Sequence, residues 1–237
     1  MDPTIVRITL RGLLGRRRFL LLLPLPLLVV LLAALTSGYD VEPADWGEPV
    51  IAGLGLGVLL PVVALVVGTG VLGSEIDDGT VVHILTKPLP RSTIVLSKLA
   101  VAATVTAATV AVPLFIAGSL ADGVRFGLAL VLAGAVGAVA YSAVFVAISL
   151  LTRRPVLLGL VYVLVWEGLL AGFVPRTRVL SIQQYCVALA DEIAPSVILE
   201  GKVAVPLSLV MSVLFTVGFA WLAIDRLRSF RVTGDTG

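Results

Sequence analysis

The chain has 237 residues, of which 59% are hydrophobic and only 14% are charged. Soluble globular proteins contain about 25% charged residues. This much apolar surface has to face lipid, so the sequence predicts an integral membrane protein without a soluble catalytic domain. The net charge of +2 is too small to indicate a nucleic-acid partner, and the single cysteine, Cys186, excludes an internal disulfide and a multi-cysteine metal site.

The stretch before the first apolar segment has a helical pattern. Over about residues 3–17, apolar side chains recur on one side, while Arg7 and Arg11 lie one turn apart on the other. This pattern favours a short elbow helix lying in the membrane interface, with a basic tail lacking fixed structure as the alternative. Arg16–Arg18 followed by apolar residues also occur in signal peptides, but the apolar run exceeds the roughly 7–15 residues of such peptides. We therefore expect the first segment to remain as a span.

Six apolar segments approach or exceed the roughly 20 residues that a transmembrane helix needs. They cover about residues 19–37, 50–72, 94–119, 127–151, 155–173 and 204–224. Arg153, Arg154 and Pro155 separate the fourth segment from the fifth and predict a tight turn between them. The expected fold class is an all-α membrane protein with six transmembrane helices in a single domain, residues 1–237.

The distribution of positive charge predicts the orientation. Thirteen of the 17 basic residues lie at the two ends of the chain and in the connections after the second and fourth segments. The opposite connections hold only four, which are Arg125, Arg176, Arg178 and Lys202. Because Lys and Arg concentrate on the cytoplasmic side, both termini are predicted to lie in the cytoplasm, with the chain in the cytoplasmic (inner) membrane.

Small residues recur at four-residue spacing in several segments. The second segment contains Gly53 and Gly57, and the fourth contains Gly134, Ala138 and Ser142. Such stripes allow helices to approach closely, so we expect a tightly packed bundle.

The connection between the second and third segments has a pattern of its own. Gly79 interrupts the preceding helix, and Thr80 is suited to cap a short new helix. The apolar residues of that helix end at Leu85, and Pro88 prevents its continuation. The expected product is a short helix, held between two breaks, that can dock into a groove on a soluble partner.

The order of residues in this connection resembles the first cytoplasmic loop of permease subunits of type 2 ATP-binding-cassette (ABC) exporters. The matching positions are Glu75, Gly79, Thr80, Leu85, Pro88, Arg91 and Lys98. The elbow helix, the six spans, the short second inner loop and the long connection before the last span match in the same order, so the resemblance covers nearly the whole chain.

The resemblance implies that this connection contains a coupling helix seated in a cleft of an ATPase subunit. The role would be carried by Gly79, Thr80, Val81, Val82, His83, Ile84 and Leu85. Glu75 and Arg91 would brace the loop or contact the ATPase, and Lys98 would close the motif. The alternative is that the charges only solvate an inner loop. His83 is the single histidine, which favours an interface contact over a metal ligand.

The chain lacks the spacing G-x-x-x-x-G-K-[ST] that binds nucleotide phosphates. We therefore expect a transport subunit that is not itself an enzyme and holds no cofactor or metal, with ATP and magnesium bound by a separate ATPase. The resemblance further implies two copies of that ATPase and a second permease, identical or related, in contact with membrane lipids.

Glu167 is the one acidic residue well inside a predicted span. A charge there costs about 2.5–3.5 kcal/mol on insertion scales. It therefore marks either a functional polar site or a structural hydrogen bond to Tyr162, Tyr141 or the backbone. The connection at 174–203 follows and predicts short extracytoplasmic helices before the last span, serving as a gate or as a simple surface helix.

Two other classes of function remain as alternatives to an exporter subunit. An ion-coupled carrier usually needs several intramembrane ionisable groups or broken helices, and the spans offer Glu167 and a few prolines. An integral-membrane enzyme needs His, Asp or Glu clustered at one depth, which this pattern does not provide.

Overall fold

A computed structural model of the chain describes residues 23–77, 90–171 and 175–229. These residues form a helical protein, and the only extended pairing among them is an isolated bridge between Ser196 and Leu199. The predicted elbow helix at 3–17, the coupling residues from Gly79 to Leu85, and Pro88 lie outside the described residues.

The helices follow one another in a simple order. Helix α1 covers Pro24–Gly38. The next long element contains α2 (Pro43–Gly47), a π-helical segment π1 (Glu48–Leu59) and α3 (Leu60–Asp77). The last elements are α4 (Arg91–Leu151), α5 (Pro155–Val161), π2 (Tyr162–Leu170), a 3₁₀ helix (Pro175–Leu180), α6 (Ile182–Ile193) and α7 (Val205–Ser229).

The 61 residues of α4 form a hairpin and not a single rod. The backbone leaves helical geometry at Asp122 and at Gly123, where φ is +84°, a conformation that glycine adopts without steric penalty. The two arms, 91–121 and 124–151, then lie side by side. A Cβ atom added to Gly118 would come within 2.8 Å of Gly127 Cα, so the glycines bring the two backbones together.

The second arm of the hairpin is the centre of the bundle. Every residue from 140 to 150 is buried, and a helix that is apolar all round is expected in such a position. The Tyr141 and Phe145 rings stack with centroids 6.1 Å apart, and the Phe145 and Tyr162 rings form a T-shaped pair. By contrast, one face of α7 is open, with Trp221 exposed over 67% of its surface.

Three helices of the described part are long and apolar enough to cross a membrane. They are Pro43–Val71, Arg91–Leu151 and Val205–Leu227, and two shorter apolar helices occupy Pro24–Gly38 and Pro155–Leu170. The predicted turn before Pro155 is confirmed, since α4 ends at Leu151 and α5 begins at Pro155. The all-helical class is likewise confirmed, while the count of six crossings and the single domain stay predictions.

The close approach of the hairpin arms can be tested at Gly127. In Gly127→Ala the new Cβ would meet Phe115 O at 2.7 Å, and overpacking of this kind typically costs about 1–3 kcal/mol. We expect a lower midpoint of thermal unfolding, measured by circular dichroism of the purified protein in detergent.

The matched control is Gly218→Ala, in the interior of α7. Nothing lies within 4 Å of the added Cβ there, so the midpoint should stay the same or rise slightly with the better helix propensity of alanine. Equal effects of the two substitutions would contradict the packing of the hairpin.

Candidate functional site

Helix α6 lies between other helices of the bundle. Seven of its 12 residues are buried. Tyr185 meets the ring of Phe215 in α7 with centroids 6.2 Å apart. Cys186 faces Gly137, where an added Cβ would come within 2.5 Å of the Cys186 Sγ atom. The helix therefore packs on the central arm and on α7 at the same time.

The Glu167 carboxylate in π2 is bound at the start of α6. Only 3% of the residue is exposed. Its Oε2 atom accepts a hydrogen bond of 2.5 Å from Ser181 Oγ, and its Oε1 atom accepts one of 3.0 Å from the Ile182 backbone N–H. The Tyr162 hydroxyl donates a third, at 3.3 Å, to Oε1. The two residues that begin α6 thus hold both oxygens of the carboxylate.

The location at a helix N-terminus explains why a carboxylate is tolerated here. The first N–H groups of a helix have no partner within it, and the helix dipole favours negative charge at that end. Ser181 is the N-cap, and its Oγ also accepts from the Gln184 N–H at 3.3 Å. Charge-assisted bonds of this kind offset the cost of burying the group.

The structure therefore shows hydrogen bonds to Glu167 of the kind that the sequence predicted. Tyr162 and a backbone group, two of the partners expected from the sequence, donate to it. Tyr141 lies near the carboxylate, but its buried hydroxyl makes no hydrogen bond of ordinary geometry. Ser181 was not expected from the sequence, although a serine directly before an amphipathic helix is a recognisable N-cap signal.

Further bonds attach the segment around α6 to its neighbours. Trp166 Nε1 donates to Leu180 O at 3.1 Å, and Thr177 Oγ1 donates to Leu170 O at 2.6 Å, so the 3₁₀ helix returns along π2. At the far end of α6, an Arg125 guanidinium nitrogen donates to Ile193 O at 3.1 Å. Helix α6 therefore runs from Glu167 to the hairpin turn, about 18 Å for 12 residues.

The first π-helical segment also meets α6. Gln183 Nε2 donates to Ala52 O at 2.7 Å, and a Cβ at Gly57 would come within 2.8 Å of that nitrogen. Gly57 thus provides the close approach that the small-residue spacing predicted, whereas Gly53 has only the Glu48 carbonyl near, at 3.9 Å. Both π-helical segments contact the start of α6, and such segments are frequent at functional sites.

A second cluster lies at the two ends of the connection between α3 and α4. Lys98 is 1% exposed, and its Nζ donates to Val71 O in α3 at 2.6 Å. The Arg91 guanidinium donates to Leu227 O in α7. Glu75 is in the last turns of α3. Among the motif residues, the structure therefore places Arg91 and Lys98 on main-chain carbonyls of the protein itself.

The comparison with protein families identifies the class of protein. The model of the ABC-2 family transporter protein matches residues 16–188, which is well over half of the chain. The chain belongs to this family, and the resemblance to a permease of the ABC-2 type is thereby confirmed. It is a membrane-embedded transport subunit of a family that works in general with an ATPase partner. No curated protein shows significant similarity to the chain.

The matched region includes both clusters. It spans the connection from α3 to α4 with Arg91 and Lys98, and it reaches Glu167, Ser181 and the first turns of α6. In the described residues, no group of three His, Cys, Asp or Glu side chains is placed to hold a metal ion.

The attachment of α6 by Glu167 can be measured with the native cysteine. Cys186 lies in α6, is fully buried, and is the chain's only cysteine. Hydrogen bonds to a charged group contribute about 1.5–3 kcal/mol each to stability. A loss of about 1.4 kcal/mol makes the opening that exposes Cys186 about ten times more frequent. In Glu167→Ala we expect N-ethylmaleimide to modify Cys186 at least about ten times faster than in the wild type.

The control is Glu192→Ala, which removes an exposed carboxylate from the same helix. Its rate of Cys186 modification should equal that of the wild type. If Glu167→Ala also reacted at the wild-type rate, Glu167 would not be what holds α6 in place.

Proposed function

We propose that the chain is the permease subunit of an ATP-driven exporter and forms half of the translocation pathway. A second permease, identical or related, supplies the other half, and two copies of a separate cytoplasmic ATPase bind ATP and magnesium. The observation that carries this proposal is the family match over residues 16–188, which includes the whole connection from Glu75 to Lys98.

The proposal includes six crossings with both termini in the cytoplasm. The six would be α1, the element from α2 to α3, the two arms of α4, the element from α5 to π2, and α7. Each arm of the hairpin alone exceeds the roughly 20 residues that a crossing needs. Helix α1 is short at 15 residues, but the apolar sequence of the predicted span begins earlier, at Phe19.

The contacts of Arg91 and Lys98 support a mechanism of coupling. In the proposed arrangement the ATPase moves the short helix at Gly79–Leu85. Lys98 links the start of α4 to the Val71 carbonyl in α3, so the two helices that flank the loop move together. Arg91 extends the link to α7 through the Leu227 carbonyl. A displacement of the loop would then reach three helices of the bundle.

The contacts of Glu167 support a gate on the opposite side. In the proposed orientation, the turn at Asp122–Gly123 faces outward, and α6 extends from it into the bundle. Opening the pathway there would require α6 to shift against π1 and π2, to which Gln183 and Glu167 attach it. An open position of the gate would lack these two attachments.

The coupling helix is tested by Leu85→Asp. A carboxylate on the apolar docking surface should prevent a productive fit with the ATPase, because burying an unpaired charge is costly. We expect the permease to fold, but stimulation of ATP hydrolysis in the co-purified complex should fall at least about tenfold. The same substitution at Leu151, partly exposed at the end of α4, is the control and should leave stimulation near the wild-type level.

Three outcomes would contradict the proposal. Unchanged ATPase binding and stimulation in Leu85→Asp would remove the coupling role from this loop. Failure of the chain to co-purify with any ATPase would remove the ATP-driven mechanism. Transport that continues without ATP, but stops when the proton gradient collapses, would indicate an ion-coupled carrier.

The role of Lys98 is tested by Lys98→Met, which keeps the length and apolar stem of the side chain and removes the charge. We expect the ATPase to remain bound but its stimulation to fall several-fold, because α3 and α4 lose their link beside the loop. Lys98→Arg should restore part of the stimulation, and Lys202→Met, at an exposed position, should have no effect. A parallel loss of ATPase binding would show that Lys98 acts on folding or docking and not on coupling.

A further inference from the structure

The Tyr141 hydroxyl is a buried polar group that makes no hydrogen bond. Tyr141 lies on the central arm of α4, none of its surface is exposed, and its Oη atom has no partner among the described residues. Buried hydroxyls are nearly always hydrogen-bonded, because an unpaired one has given up its bonds to water. The charge of the Glu167 carboxylate acts on this hydroxyl, so the two groups belong to one polar cluster.

The titratable groups of this cluster come from three elements of the described structure. Tyr162 lies on π2 itself, Tyr141 on the central arm, and Tyr185 and Cys186 on α6. Phenols and thiols are neutral near pH 7. None of these four side chains therefore supplies a positive charge to the carboxylate of Glu167.

The other elements beside π2 have their charged residues nearer the surface. Glu48, at the start of π1, is exposed. The 3₁₀ helix contains Arg176, which is exposed, and Arg178, which is partly buried. The hydrogen bonds that stabilise the Glu167 carboxylate come from two hydroxyls and one backbone N–H.

The position of α6 determines which form of Glu167 is favoured. Hydrogen bonds to a charged group favour the charged form, whereas apolar surroundings disfavour it. With α6 in place, Ser181 and Ile182 donate to the carboxylate. If α6 shifts as the gate opens, these donors leave with it, while Tyr141 stays beside Glu167 on the central arm. A carboxylic acid suits that arrangement, because its O–H can donate to the unpaired Tyr141 oxygen.

We propose that Glu167 and Tyr141 form a proton-binding site through which the outer solution controls the gate at α6. A proton from that solution binds a carboxylate oxygen, no other covalent bond forms or breaks, and the new O–H donates to Tyr141 Oη. A ligand shifts an equilibrium only when it binds one position better than the other. The proton binds the open position better, so acidification favours opening. The inference rests on the gate in the proposed function.

The pH dependence is tested on the purified full chain with N-ethylmaleimide, which reports the exposure of Cys186. A buried glutamate can titrate as high as about pH 8–9, so the rate is followed from about pH 5 to about pH 8.5. At each pH the wild-type rate is divided by that of Glu167→Gln, which keeps the shape of the side chain and does not titrate. The pH dependence of the thiol itself then cancels.

The ratio should be about 0.2 or less at the alkaline end, because an amide accepts weaker hydrogen bonds from α6 than a carboxylate does. It should rise to about 1 at the acidic end, where both variants carry a neutral group at this position. Glu192→Gln, which removes an exposed carboxylate from the same helix, is the control and should keep the wild-type profile. A ratio that does not change with pH would overturn the proposal.

Infrared spectroscopy measures the proton directly. The C=O stretch of a carboxylic acid should appear in the wild type over the same pH interval as the change in ratio. The difference from the spectrum of Glu167→Gln separates this band from those of the exposed carboxyl groups. A change in ratio without this band would contradict proton binding at Glu167.

Two phenylalanine variants distinguish the roles of the phenols. Tyr141→Phe removes the acceptor of the carboxyl proton, so the midpoint of the pH profile should fall by about 0.5–1 pH unit. Tyr162→Phe removes a donor to the carboxylate and should raise the midpoint by a similar amount. Because Tyr141 Oη is unpaired with α6 in place, Tyr141→Phe should not lower the midpoint of thermal unfolding.

A rise of the pH midpoint in both variants would show that Tyr141 only donates to the carboxylate, and it would overturn the proposed site. None of these measurements involves the ATPase. A negative result would therefore remove the proton site and leave the export mechanism standing, whereas failure of the export mechanism would leave these profiles unchanged.

Discussion

The hydrogen bonds that Glu167 accepts at the start of α6 determine how the second half of the chain is arranged. A carboxylate inside an apolar bundle needs donors, and here they come from Ser181, Ile182 and Tyr162. These donors reach the Glu167 carboxylate only if α6 begins beside π2. That position of α6 in turn places Tyr185 on α7 and Cys186 on the central arm. A buried carboxyl group without such donors is costly, so the positions of Glu167 and of the start of α6 depend on one another.

The same requirement for satisfied polar groups explains the buried lysine. Lys98 is almost completely enclosed, yet its ammonium group donates to the Val71 carbonyl near the end of α3. Cations are favoured at that end of a helix by its dipole. Lys98 thus binds a backbone carbonyl of a neighbouring helix, while Glu167 accepts from one backbone N–H and two hydroxyl groups.

Much of the helical framework could be predicted from hydropathy. The spans predicted at 50–72 and 204–224 correspond to apolar helices at Pro43–Val71 and Val205–Leu227. The helix Pro43–Val71 begins earlier than the predicted span at residue 50, because its first residues include Asp45 and Glu48 and are too polar to be recognised as apolar. Likewise Pro155 correctly indicated a break, since proline lacks the N–H that a continuing helix needs.

The candidate sites were less accessible from the sequence. Glu167 and the motif residues could be singled out by their chemistry, but Lys98, Arg91 and Gln183 each donate to a main-chain carbonyl. Every residue has such a carbonyl, so no side-chain pattern reveals which one is used. The π-helical geometry of 48–59 and 162–170 was likewise not predicted, because a hydropathy pattern does not distinguish it from an α-helix.

The hairpin turn at Asp122–Gly123 has a consequence for biosynthesis. Only a few residues lie between the two apolar arms, and the ionisable ones near the turn are Asp122 and Arg125. In the proposed orientation, the turn with these two residues is the polar segment that must cross the hydrocarbon layer when the arms enter the membrane. The polar segment to be translocated is short, and Gly118 and Gly127 allow the two backbones to come into contact at once. The two arms can therefore enter the membrane from the insertion machinery as a preassembled pair.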